Sequence, residues 1–230
     1  MKMVQDIKIA VDAIVFGYQN NQLYVLLIQQ KFGSTESFWA LPGGLVQNNE
    51  SLLEAVEREL KEETNVKVNY LEQLYTFGDD VFRDSRNRVI SVAYFALVDA
   101  KKFNIKPDTD AENVNWFPIT EIPKLAFDHN KIVEKAMERL KAKLTYQPIG
   151  FDLLEAEFLF SDLENLYCSI LNKDIDRRNF RKKLMSFEIL EETNSFSDKK
   201  NGRPAKLFRF NKTKYHQLNK EGFHFEIKFA

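Results

Sequence analysis

Six residues stand at intervals that suggest shared chemistry: Gly44, Glu50, Arg58, Glu59, Glu62 and Glu63, in the pattern G-x5-E-x7-R-E-L-x-E-E-x-N-V. On a helix, Glu59, Glu62 and Glu63 are three and four positions apart and share one face. Neighbouring carboxylates repel one another, and the arrangement becomes favourable when an oxygen-seeking divalent cation such as Mg²⁺ or Mn²⁺ sits among them. Gly43 and Gly44 bring backbone close to the same spot, where a side chain would intrude. A cation held there neutralises a diphosphate and activates a water for attack on phosphorus. A solvated acidic helix face accounts for three glutamates alone. It does not account for the full spacing, which chance yields on the order of once in 10⁵ chains of this length.

Just downstream, TFGDDVFRDSRNRV offers Arg83, Arg86 and Arg88 as guanidinium groups for gripping phosphate. A polar hairpin loop explains the same residues equally well.

A second constellation lies near the other end of the chain. Residues 173–214 hold 13 basic side chains against 6 acidic ones, a surplus of 7, while the whole 230-residue chain carries a net charge of -1. The rest is therefore at -8, and such asymmetry marks a nucleic-acid-binding segment. In a helix opened by Asp176, the apolar Phe180, Leu184 and Phe187 fall on one narrow face. Arg178 and Lys182 lie nearly opposite, with Asn179 and Arg181 on the flanks and Arg177 in the first turn. Guanidinium groups so placed suit guanine edges or phosphates. Lys199, Lys200 and Arg203, in a loop between two short strands, suit the DNA backbone or minor groove. A solvated basic face is the plain alternative, and the order of capped helix, basic helix and basic loop weighs against it.

These groups need elements to hold them. Residues 7–17 and 23–30 read as a β-hairpin, 51–64 as a helix with Ser51 as N-cap, 88–98 as a long strand and about 128–144 as a second amphipathic helix. Leu53, Val56 and Leu60 form the stripe expected to pack that first helix on the sheet. Strands mixed with two such helices predict an α/β sandwich, and TYQPIGFD, with Pro148 and Gly150, reads as a linker. Beyond it come a helix with Ser161 as N-cap, the basic helix, and the strands FEILEET and AKLFRF, a winged helix-turn-helix outline.

Composition bounds the setting. With 44% hydrophobic and 29% charged residues the chain is ordinary globular material, and 20 phenylalanines predict aromatic cores. The lone Cys168, read as a buried apolar side chain, excludes an internal disulfide framework. The N-terminal stretch carries charges where a signal peptide is apolar, and no run approaches the ~18 apolar residues of a membrane span. The sequence reads as cytoplasmic, with no membrane partner.

The box at 44–66, with the flanking WALPGG, VAYFALV and WFPITEI, resembles the Nudix hydrolase superfamily. The resemblance implies an α/β fold, a Nudix αβα sandwich with a mixed sheet over 1–147. It implies a catalytic set of Glu50, Arg58, Glu59, Glu62 and Glu63, with Glu59, Glu62 and Glu63 as ligands for Mg²⁺ or Mn²⁺ and an Arg58–Glu50 pair bracing the loop. It also places Gly43, Gly44, Arg83, Arg86 and Arg88 at the bound ligand, since the segment after the box resembles that of ADP-ribose-type members. Two positions depart from the pattern. Asn65 stands where the family has a glycine, and asparagine is the next-best residue for a left-handed helix end. Gln47 stands where many hydrolases carry an acid.

Joined to LENLYCSILNKDIDRRNFRKKL and GRPAKLFRF, the chain resembles the Nudix-related transcriptional regulators of NAD metabolism and their sugar-responsive relatives. That resemblance implies a small α+β winged-helix domain over 152–230 and a homodimer on a double-stranded, palindromic DNA operator. It implies a small-molecule effector, an ADP-ribose-like nucleotide or a sugar, in the Nudix pocket. A Mg²⁺-dependent pyrophosphohydrolase acting on ADP-ribose or a related nucleoside diphosphate is the alternative that the intact carboxylates allow.

Overall fold

A computed structural model of the chain describes residues 6–31, 37–102, 113–197 and 204–230. The chain divides into two compact units, one of residues 1–17 with 23–139, the other of 18–22 with 140–230.

The first unit is built on a seven-stranded mixed sheet. Strands β1 (Ile7–Gln19) and β2 (Gln22–Lys31) are followed by the short β3 (Ser37–Ala40) and β4 (Gly43–Leu45). After helix α1 (Leu52–Thr64) come β5 (Tyr70–Phe77), β6 (Arg88–Val98) and β7 (Asn113–Pro118). The order is β3-β2-β1-β6-β5, with β4 also paired to β1 and β7 to β2. Strands β1 and β6 run parallel in register from Ile7 opposite Arg88 to Gly17 opposite Val98. A parallel central pair must be covered on both faces, and both are apolar here. Val11, Ala13 and Val15 of β1 pack with Val92, Tyr94, Ala96 and Val98 of β6 under Ala55, Val56 and Leu60 of α1. The alternate residues Ile14, Phe16, Phe95 and Leu97 are equally closed to solvent. Leu53, expected in the packing stripe of α1, is instead 48% exposed, and Ala55 takes the buried place. The apolar stripe is shifted rather than lost, since Leu52 also packs against this core.

Helix α2 (His129–Tyr146) has Ile132, Ala136, Leu140 and Leu144 at four-residue spacing, all fully buried. The division between the units falls within this helix.

The second unit contains α3 (Phe160–Leu171), α4 (Arg177–Ser186), the antiparallel ribbon β8 (Leu190–Phe196) and β9 (Lys206–Phe210), and α5 (Lys212–Glu221). Its core is aromatic, as the phenylalanine content predicts. Tyr167 and Phe180 pack with ring centroids 4.9 Å apart, and Phe151 stacks on Phe210 at 3.9 Å. The buried Tyr167 hydroxyl donates to the Ile149 carbonyl at 2.8 Å, which removes the cost of burying it. Helix α3 starts one residue before Ser161: Leu159 is the N-cap, and its N–H donates to the Asp162 carboxylate at 3.0 Å. Cys168 is half-buried rather than fully enclosed. No helix among the described residues is long and apolar enough to cross a membrane.

Candidate functional site

In the first unit the acidic helix and the glycine loop meet. Ser51 caps α1 in a reciprocal box with Glu54, and Asn65 ends it at φ 55, a left-handed C-cap. The helix therefore begins and stops where the spacing requires, and its glutamates face the loop. A β-carbon at position 44 would lie 2.3 Å from a Glu59 carboxylate oxygen, so that side chain would have to move. At position 43 a β-carbon would lie 2.2 Å from the Val11 carbonyl oxygen. The Gly43 N–H donates to Glu63 at 2.8 Å, and Gln30 donates to the same carboxylate.

Arg58 organises the other acids. It forms a two-point pair with Glu50, at 2.9 and 2.7 Å, and reaches Glu59 at 2.8 Å and Glu62 at 3.1 Å. The hydrogen bonds from Arg58 hold the Glu50 carboxyl down at about 2. Burial pushes Glu63 up to about 8, with the Glu59 and Asp12 carboxylates adding to the shift. Burial also raises Glu59.

The brace between Arg58 and Glu50 is as expected, but the three acids do not converge. Glu59 and Glu62 turn to Arg58, Glu62 is half-exposed, and Glu63 is taken up by Gly43 and Gln30. Among the described residues no three His, Cys, Asp or Glu side chains form a group that could hold a metal ion. In this arrangement Arg58 supplies the charge that neutralises Glu59 and Glu62, the place that Mg²⁺ or Mn²⁺ would take with these acids as ligands.

Beside the glycine loop lies a cleft of about 310 Å³, lined by Asp12, Gln30, Gly43, Gly44, Arg83, Arg86, Phe127 and His129 among others. Its floor is a buried polar network. Arg83 donates to Asp128 at 2.7 and 3.1 Å and to Asp12 at 3.4 Å, and Ser91 donates to Asp12. His129 accepts from the Leu41 N–H through Nδ1 at 2.9 Å, with Nε2 3.5 Å from Asp12. A ring that accepts at Nδ1 is neutral and carries its proton on Nε2. Burial accordingly lowers the His129 pKa.

The three arginines thus part ways. Arg83 is spent on two carboxylates and braces the floor. Arg86 is at the rim, paired with Asp84 at 2.8 Å and set 5.1 Å above the Phe127 ring. Arg88 does not line the cleft and donates to the Gly78 carbonyl at 2.8 Å. Asp12, Phe127, Asp128 and His129 went unnoticed in the sequence, because Asp12 lies far from the consecutive Phe127, Asp128 and His129 and the latter three read as the start of a helix. The exposed ring of Phe127, held at φ 54, is the one signal that a backbone reading could have used.

In the second unit Asp176 caps α4 through the Asn179 N–H at 3.0 Å. Phe180 and Leu184 are buried and Phe187 half-buried, while Arg177, Arg178, Asn179, Arg181 and Lys182 are all exposed. The segregation read from the sequence holds. Arg181 lies over the rings of Phe160 and Phe208, at 5.1 and 5.4 Å. Lys199, Lys200 and Arg203 lie outside the described residues.

A NUDIX domain profile matches residues 6–139, and a profile described as NrtR DNA-binding winged helix domain matches 150–210. An Acinetobacter baylyi protein named ADPR responsive transcriptional repressor NtrR is 33% identical, over 87% of this chain and 80% of its own. The chain belongs to the Nudix-related transcriptional regulators.

Two solved structures of that family show how the parts correspond. Shewanella oneidensis NrtR, in complex with a 27mer DNA, has 31% identity and a TM-score of 0.78, over 95% of this chain and 98% of its own. The NUDIX domain of the same protein, solved with ADP ribose, has 36% identity and a TM-score of 0.55, over 60% of this chain and 90% of its own.

Proposed function

We propose that this chain is an ADP-ribose-responsive transcriptional repressor, binding effector in the cleft of its first unit and an operator through α4. The exposed basic face of α4, opposite a buried apolar one, carries this reading. The operator is double-stranded and palindromic, and the chain reads it as a homodimer. In the cleft, the Gly43 and Gly44 loop gives a diphosphate close access to backbone. Arg86 supplies charge and Phe127 a stacking face for a base. Arg83 acts from below by fixing Asp128 and Asp12 rather than by touching phosphate.

Selection from a randomised duplex library on the full-length chain tests the reading. The enriched motif is expected to be an inverted repeat with half-sites about one helical turn apart. A pool that stays random contradicts it.

The intact Glu50, Arg58, Glu59, Glu62 and Glu63 set supports a second reading, pyrophosphohydrolysis of ADP-ribose with Mg²⁺ or Mn²⁺. That chemistry requires the cation to draw Glu59 and Glu62 away from Arg58. AMP release from ADP-ribose that vanishes in Glu62→Gln would establish it, and no release would leave the regulator reading alone.

A further inference from the structure

A cleft of about 670 Å³ lies in the second unit, lined by Ser161, Glu164, Arg177, Arg178, Arg181 and Lys206 among others. A surface this basic suits a polyanion, yet two carboxylates sit in its wall: Glu192, paired with Lys206 at 2.8 Å, and Glu164. Glu164, on α3, is 5% exposed. Its Oε2 lies 2.6 Å from Nη2 of Arg177, whose side chain is 74% exposed. Its Oε1 is closed to solvent and has no hydrogen-bond partner.

The pair gives the fold little. A buried acceptor without a donor is costly, and the attraction to a guanidinium that is mostly in water adds little stability. A negative charge beside phosphates also works against binding DNA of any sequence. What the carboxylate does provide is orientation. Arg177 opens the first turn of α4, the part of a recognition helix that enters the major groove. Unheld, a long arginine on the surface is a roaming positive charge that meets any phosphate. Held at Nη2 by the carboxylate, it is biased to present its remaining N–H groups in one direction, as a guanine O6/N7 edge requires.

We propose that Glu164 is a positioning residue for DNA recognition, holding Arg177 so that it reads a base rather than a phosphate. This rests on the reading of α4 as the DNA-binding helix. Removing the carboxylate then weakens binding to the preferred sequence while sparing or strengthening binding to other sequences.

The test uses the full-length chain, a duplex enriched from a randomised library and a shuffled duplex of the same composition, read by fluorescence anisotropy. In Glu164→Gln, the affinity ratio of enriched over shuffled duplex is expected to fall about tenfold, with shuffled-duplex affinity unchanged or raised. Arg177→Lys, an exposed change that keeps the charge and loses the fork, should lower the ratio likewise. Glu164→Gln added to Arg177→Ala should change nothing further. An unchanged ratio in Glu164→Gln overturns the proposal, as does an equal loss on both duplexes, which marks a structural role. If the wild-type chain enriches no duplex, the DNA-binding reading fails before Glu164 is in question.

Discussion

Arg58 meets three carboxylates and the Leu45 carbonyl, so its loss would strand several charges at once. Because the side chain is partly open to water, screening limits the cost. Arg58→Ala is expected to lower unfolding stability in urea by about 1–2 kcal/mol. This pairing was legible in the sequence because its members lie on one helix and one adjoining loop, at spacings fixed by local geometry. The floor of the effector cleft was not. Asp12, Arg83, Asp128 and His129 are separated by up to 117 positions and meet only through the tertiary fold. His129 makes a prediction of its own. Its folded pKa is below the ordinary 6.5, so the unfolded chain binds more protons below that pH. The stability is full above pH 6.5 and falls as the pH drops below it. Protonation of Nδ1 also expels the Leu41 N–H, next to the glycine loop. Thermal melts should show the wild-type chain losing more between pH 7 and 5 than His129→Gln does, and ADP-ribose affinity should fall with it.

At the scale of elements, ends were more legible than faces. The Ser51 cap and the Asn65 left-handed stop were readable because cap chemistry is local. Asn65→Ala should cost about 1 kcal/mol and Asn65→Gly should be neutral or slightly stabilising, both measured by urea unfolding. An equal cost for both would deny the left-handed conformation. Packing faces depend on neighbours. Leu53 carries the right residue type for the stripe yet faces solvent, and Leu159 replaces Ser161 as a cap because the chain enters α3 two residues early. The short strands β3 and β4 escaped notice beside the glycine loop, and so did two longer elements. Strand β5 buries only Leu74, so it shows no clean alternation. Helix α5 buries no residue, and its signals are only at its ends, the Asn211 cap and Gly222 at φ 78. Sequence periodicity reports burial, and an element that buries little leaves no trace in it.

Over the whole molecule, charge asymmetry was the strongest sequence signal, because it needs no knowledge of the fold. Its center is the outer face of α4. Arg178→Ala with Lys182→Ala should weaken binding to the enriched duplex by roughly 100-fold. The slope of log affinity against log salt should become shallower by about 1–2. Both side chains are exposed, so the melting temperature should stay put. Which effector the cleft takes was not legible, since the residues facing it come from distant parts of the chain. The most direct test is anisotropy of the full-length chain on its enriched duplex during titration with ADP-ribose, with ribose and arabinose as controls. Release of the duplex by ADP-ribose alone, weakened in Phe127→Ala, is the predicted result. A duplex that stays bound at saturating ADP-ribose, or leaves equally with a plain pentose, would contradict the account.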